Sequence, residues 1–226
     1  MSGFPRSPRL LKGAFVIFET AAPLPTNLIA FQYNPDSVSR TFEAQTGDSG
    51  GDPRRIAGDT QNALAPTERI RMSVELDAAD QLERAAEVAV ATGLHPTLSA
   101  LELLLYPGST QVLLGKVLAA VGSAYVAPAR VPTVLLVWGP LRVIPVRVES
   151  IAITEDAFDQ KLNPIRAKVD VDVRTLTAKE LKAAGAVFEV LDIVNLISKE
   201  GLARLNAGAT FEQVIGSAAF TVARAI

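Results

Sequence analysis

The chain holds a single histidine, His95, in the run Gly93-Leu94-His95-Pro96. A Ser-His-Asp or Cys-His relay would have to use it, because proton transfer to and from the nucleophile needs an imidazole. Its place before a proline, at a helix boundary, is that of a turn residue. There is no cysteine, which excludes a Cys nucleophile, thiolate zinc sites, iron–sulfur clusters and a disulfide framework. No second histidine and no H-E-x-x-H motif supports a transition-metal site. Carboxylates occur in pairs, Asp77 with Asp80, Asp156 with Asp159, and Asp170 with Asp172. The last pair lies on one face of an alternating strand beside Lys168 and Arg174, the pattern of a solvated or interface face rather than of an acid/base pair. The run Asp48-Ser49-Gly50-Gly51-Asp52 lacks the spaced ligands and distal Glu of a calcium loop. No glycine-rich phosphate loop follows a strand. The sequence therefore predicts no catalytic, cofactor-binding or metal-binding residue. A small hydrolase using Asp170, Asp172 and Arg174 is the enzymatic alternative.

Stepping along the chain, the cleanest periodicity lies at residues 67–76, where Ile70, Met72, Val74 and Leu76 alternate with Arg69, Arg71, Ser73 and Glu75. Period two predicts a strand with one buried and one wet face. A second such strand is predicted at 165–175, with Ala167, Val169, Val171 and Val173 on the apolar side. Residues 131–138 and 141–153 read as two strands joined by a Gly139-Pro140 hairpin, and the apolar phase shift between Val148 and Ile151 predicts a bulge. Residues 11–19, 28–33 and 38–45 read as three further strands. Helices are predicted at 78–92, stopping at Gly93, and at 97–105, while 111–120 is ambiguous. From residue 178 onward the chain reads as helical, with Phe211, Val214 and Ile215 opening an apolar stripe that must pack on the β-domain or on another subunit.

Composition bounds the partners. Of 226 residues, 49% are apolar and only 20% are charged, and the net charge is −2. A backbone-binding nucleic-acid protein carries a basic excess, so nucleic acid is not expected as a partner. Phe31 and Tyr33 alternate along a strand, yet lack the basic neighbours of a base-stacking platform. One Trp and three Tyr are few for a carbohydrate- or peptide-binding sandwich. No apolar run reaches the roughly 20 residues of a membrane span, so no membrane insertion is expected, and no signal peptide is read at the N-terminus. Residues 46–66, with four glycines and two prolines, are read either as a flexible loop or as an arm ordered by a neighbouring subunit, with Gly50, Gly51, Arg54 and Arg55 as candidate interface residues.

Three stretches together carry a resemblance. They are Phe31-Gln32-Tyr33-Asn34-Pro35, the run 131–139 ending in Trp138-Gly139, and Asp156-Ala157-Phe158-Asp159 through Asn163-Pro164-Ile165-Arg166-Ala167. In this order, with the alternating strand of 67–76 between the first two, they resemble the contractile injection system tube/baseplate family over residues 9–176. The resemblance implies an antiparallel β-barrel or sandwich, tail-tube-like, within an α+β chain that carries a helical insertion and a helical C-terminal tail. The chain is accordingly divided into a β-domain at 1–176 and a helical C-terminal extension at 177–226, the latter outside the resemblance. The resemblance also implies a non-enzymatic baseplate or hub subunit in a homo-oligomeric ring, contacting tube and spike proteins, assembled in the bacterial cytoplasm into a phage-tail-like particle. An inner-tube subunit of the same machine is the alternative. The family-motif residues carried over as structural are Phe31, Asn34, Pro35, Trp138, Gly139, Pro164 and Arg166. Many family members continue into a LysM module, whose turn and strand signatures are missing from residues 189–226, where the helical tail stands.

Overall fold

A computed structural model of the chain describes residues 11–19, 24–46, 63–122 and 129–215, with only the backbone described at 45–46, 63–64 and 207–215. Gly50, Gly51, Arg54 and Arg55 lie outside the described residues, and so do the side chains of Phe211, Val214 and Ile215.

Seven strands form one fully antiparallel sheet: β1 (Ala14–Phe18), β2 (Asn27–Ala30), β3 (Val38–Thr46), β4 (Ala63–Asp77), β5 (Thr133–Val137), β6 (Val143–Phe158) and β7 (Pro164–Thr175). The spatial order is β2-β1-β5-β6-β7-β4-β3. The fold is α+β, as the sequence predicts. The expected barrel does not close: β2 and β3 are the two ends of the order and do not pair with each other. β2 has only four residues against the 16 of β6, so that margin is too short to complete a ring of strands.

The alternating residues do what their period requires. Ile70, Met72, Val74 and Leu76 of β4 and Ala167, Val169, Val171 and Val173 of β7 are all buried in one cluster with Phe15, Phe31, Val134, Leu136 and Val146. At about 25 cal/mol per Å2 of apolar area removed from water, this face supplies the main stabilisation of the sheet. The phase shift in β6 is a bulge. Val148 pairs with Val173 and Ser150 with Asp172, leaving Glu149 without a register partner. One inserted residue swaps faces, so Val146 and Val148 before it and Ile151 and Ile153 after it all join the same core.

The same face is covered by the segment between β4 and β5, which holds α1 (Ala79–Glu83), α2 (Glu87–Thr92), α3 (His95–Glu102) and α4 (Ser109–Ala120). Leu94, Leu98, Leu101 and Leu104 enter the core. The helix expected over 78–92 is broken at Ala85, which takes a left-handed φ of 51°, closed by a bond from the Ala86 N–H to the Gln81 carbonyl of 3.0 Å. Alanine-rich propensity is a weak preference here, overridden by the docking of the segment's end, where the Leu94 N–H donates to the Pro164 carbonyl at 2.9 Å. The ambiguous stretch at 111–120 is helical in α4.

Beyond β7, α5 (Ala178–Ala184) starts in a capping box. The Thr177 hydroxyl accepts from the Glu180 N–H, and the Glu180 carboxylate accepts from the Thr177 N–H. Gly185, at φ 121°, separates it from α6 (Ala186–Ile215). Both helices lie against a second apolar cluster on the opposite face of the sheet, made of Leu135, Leu176, Leu181 and Phe188 with Val16, Phe18 and Val143 around them. Phe18 and Phe188 meet edge to face at 5.2 Å.

Candidate functional site

The first family-like stretch touches the other two, which lie at opposite ends of β6: Phe31 meets Trp138, and Gln32 binds Asp77, whose carboxylate holds Arg166. Phe31 is fully buried, 5.1 Å from Phe15 and 6.2 Å from Trp138 between ring centroids. Gly13 lets these rings in, because a Cβ there would stand 2.6 Å from Phe31 and 2.9 Å from Trp138. Asn34 closes the strand margin with its side chain, accepting from the Gly13 N–H at 2.9 Å and donating to the Leu11 carbonyl at 2.8 Å. The strand expected over 28–33 ends earlier, at Ala30, and Pro35 lies in the irregular segment that follows. Gly139 takes φ 75° in the turn that the Trp138 N–H closes on the Arg142 carbonyl at 2.7 Å.

Gln32 binds the Asp77 backbone twice, at 2.6 and 2.8 Å. The Asp77 carboxylate in turn accepts from Arg166 at 3.0 Å and from the Ala79 N–H at 2.7 Å. The Ala79 bond chiefly, with help from Arg166, outweighs burial and holds the Asp77 carboxyl below its ordinary range. The hairpin between β6 and β7 is tied by Asp159, which accepts from the N–H groups of Lys161 and Asn163 and from the Asn163 side chain at 2.7–2.8 Å. Those bonds, led by the Asn163 N–H, hold the Asp159 carboxyl low. Two of the three carboxylate pairs thus spend a member on turn and strand-end geometry. In the third, Asp172 is occupied by Arg71 at 3.0 Å and by Ser150 at 3.1 Å. Asp170, Asp172 and Arg174 do not converge on a pocket, since Arg174 binds Glu149 and Glu180 instead. His95 is an exposed first residue of α3.

Two ionic knots hold the helices to the sheet, and the sequence reading missed both. Glu68, at 2% exposure, is bound by Arg40 of β3 and by Lys199 of α6 at 3.2 Å. Burial pushes its carboxyl up, but the Arg40 hydrogen bond and the Lys199 and Arg40 charges outweigh it, so the carboxyl lies below its ordinary value. Glu180 is gripped by Arg174 at 2.7 Å and by Arg147 at 3.0 Å. Chiefly through the Arg174 bond, its carboxyl is lowered to about 2. The signal for Glu68 was a lone charge in phase with Ile70, Met72 and Val74, a buried-face position that demands a partner.

The remaining surface is apolar where a lone subunit is expected to be polar. None of the residues of α4 is buried, and Leu113, Leu114 and Val117 are 52–65% exposed. α6 is apolar on both sides, with Phe188 and Leu191 packed on the sheet. Its polar Asn195 and Lys199 point at the sheet, Asn195 donating to the Val143 carbonyl. Its Val187, Val190, Ile193, Val194, Leu196 and Ile197 point away, each 49–63% exposed. Open clefts occur among the described residues: one of about 340 Å3 lies between β1, β2 and the start of α4, and one of about 700 Å3 is lined by Lys12, Gln32, Asn34, Asp36, Glu75 and Lys168. No group of His, Asp and Glu that would hold a metal occurs among the described residues, and no described helix is long and apolar enough to cross a membrane.

These features define a class: an open antiparallel sheet tied together through its family-like stretches, with exposed apolar helices. No protein-family profile matches the chain, and no curated protein aligns with it. Among solved structures it is similar to a chain in the tail of an empty gene transfer agent particle with C6 symmetry, at 14% identity and a TM-score of 0.30 over 73% of this chain and 90% of that one. It is also similar to a chain in the virion of a native gene transfer agent, at 12% identity and a TM-score of 0.28 over 73% and 92%. Superpositions this loose carry no argument about this chain's function.

Proposed function

We propose that this chain is a structural subunit of a contractile, phage-tail-like injection machine, a baseplate or hub adaptor that joins the inner tube to the spike through protein–protein contacts. The sequence resemblance supplies the machine. The observation that carries the structural role is the exposed apolar surface of α4 and α6, together with the outer margins of β2 and β3, which pair with no further strand among the described residues. Exposed contiguous apolar surface marks a site covered by a partner, and an unpaired strand edge is a template for one more strand. In an assembled ring, copies of this chain and tube or spike proteins cover both. Partners of this kind need a stable sheet, which the motif residues provide, and no reacting group.

The test is to tag the chain, purify intact particles and count its copies. An adaptor is present in one small ring at a single end of each particle. Copies distributed along the whole tube would assign it instead to the inner tube. A chain recovered only free of particles would overturn both readings.

A further inference from the structure

The margin of β4 that faces β3 is interrupted. β3 pairs with β4 only from Val38, opposite Met72, and Gln32 takes both backbone groups of Asp77 with its side-chain amide, at 2.6 and 2.8 Å. Backbone groups alternate in direction along an antiparallel strand. Ala78 gives its N–H to Ile165 of β7, and Asp77 faces Gln32, so Glu75 also faces away from β7. Continued past Val38, the β3 register would set Pro35 opposite Glu75, and a proline has no N–H to give. On this side the N–H and C=O of Glu75 have no hydrogen-bond partner among the described residues.

The cleft of about 700 Å3 lies against this gap, and its volume falls within the range of small-ligand sites, roughly 300–1,000 Å3. Ser73 lines it too, and its hydroxyl oxygen is buried with no hydrogen-bond partner among the described residues. A buried hydroxyl left unanswered is costly, so a polar group in the cleft is expected to meet it. Lys12, Asp36, Glu75 and Lys168 line the same cleft, and none of the four forms an ion pair among the described residues. Two cations and two carboxylates suit a ligand that carries one charge of each sign. A simple anion or a metal ion would meet its own sign as well as the opposite one.

We propose that this cleft binds a short free peptide, a zwitterion of about two or three residues. A peptide amide is the group that matches Glu75, offering one N–H and one C=O as the Gln32 amide does to Asp77 two residues along. The peptide's ammonium group goes to the Asp36 and Glu75 carboxylates and its carboxylate to Lys12 and Lys168, in charge-assisted bonds. The closures of the gap set the length. Gln32 closes it at Asp77 and β3 closes it at Met72, about 17 Å apart along an extended strand. An extended tripeptide spans about 10 Å and a hexapeptide about 20 Å, so the first fits between the closures and the second does not. No residue of α4 or α6 lines the cleft, so this binding does not rest on the assembly reading.

The test is equilibrium dialysis of the purified chain against labelled Ala-Ser-Ala. Saturable uptake of one peptide per chain is expected, with a Kd of about 1 mM or tighter. The acetylated and amidated form lacks both charges, and the form N-methylated at both amides lacks both donors. Each is expected to bind at least about tenfold more weakly, as is the hexapeptide Ala-Ser-Ala-Ala-Ser-Ala. The double variant Lys12→Ala with Lys168→Ala removes two exposed side chains. It is expected to keep the circular dichroism spectrum and to weaken Ala-Ser-Ala binding at least about tenfold. No saturable uptake at about 10 mM, ten times the expected Kd, would overturn the proposal. So would equal binding of the blocked peptide, or equal binding by the double lysine variant. Equal binding of the N-methylated peptide would remove Glu75 from the site, and equal binding of the hexapeptide would remove the length limit. None of these results bears on the copy count in particles, so the two readings stand or fall separately.

Discussion

At the scale of single residues, two carboxylates decide how the helical tail is held. Glu68 is buried among apolar neighbours and answered by Arg40 and Lys199. Its removal leaves two cations beside a buried gap. Glu68→Ala is expected to lower the unfolding free energy by about 2–3 kcal/mol, read from a shift of the urea midpoint at constant slope; a shift under about 0.5 kcal/mol would show that the knot is dispensable. Glu180 sets a pH dependence. Its carboxyl is lowered from 4.5 to about 2 in the folded chain, so the folded state binds its proton less readily than the unfolded one. The stabilisation is fully present above pH 4.5 and is lost as pH falls from there toward 2. With solvent screening at this part-exposed site it amounts to about 1–2 kcal/mol. Glu180→Gln is expected to flatten that part of the stability-against-pH curve; an unchanged slope between pH 4.5 and 2 would assign the acid response to other groups.

At the scale of elements, the sheet's end is fixed by rings that meet only because Gly13 has no side chain. Gly13→Ala puts a methyl group within 3 Å of Phe31 and Trp138. Overpacking of this kind costs about 1–3 kcal/mol, and the near-ultraviolet signal of Trp138, the only tryptophan, is expected to change with it. A variant with native stability and native Trp spectrum would mean that the ring cluster relaxes freely. The elements themselves were largely legible. Alternation places the strands at 67–76 and 165–175 because each has one buried and one wet face, and the broken phase between Val148 and Ile151 predicts a bulge, which the structure sets at Glu149. Legibility failed where tertiary contacts decide. The start of β4 at Ala63 lies in a run without periodicity, and the break at Ala85 sits in alanines that favour helix. The Glu68 knot depends on pairs 28 and 131 residues apart, a separation that no local pattern records. The open sheet followed the same rule: alternation predicts a one-sided strand and is silent on whether the first and last strands meet.

At the scale of the whole molecule, the family-like stretches are linked to one another through the first of them, and the exposed apolar surface lies elsewhere, on α4 and on the outer side of α6. Gln32, Asp77 and Arg166 join the first stretch to the third, and Phe31 joins the first to the second. Substitutions in that network are expected to act through folding, while substitutions on the outer face of α6 act through association. Val190→Asp is accordingly expected to leave the melting temperature of the dilute chain within about 2 °C of the parent, because the side chain gives up no internal packing, and to reduce incorporation into particles. The most direct measurement is electron microscopy of particles from cells that lack this gene and from cells complemented with it. A tube–spike adaptor predicts tubes and sheaths without an attached spike in the deletion and whole particles on complementation. Complete, spike-bearing particles in the deletion would contradict it.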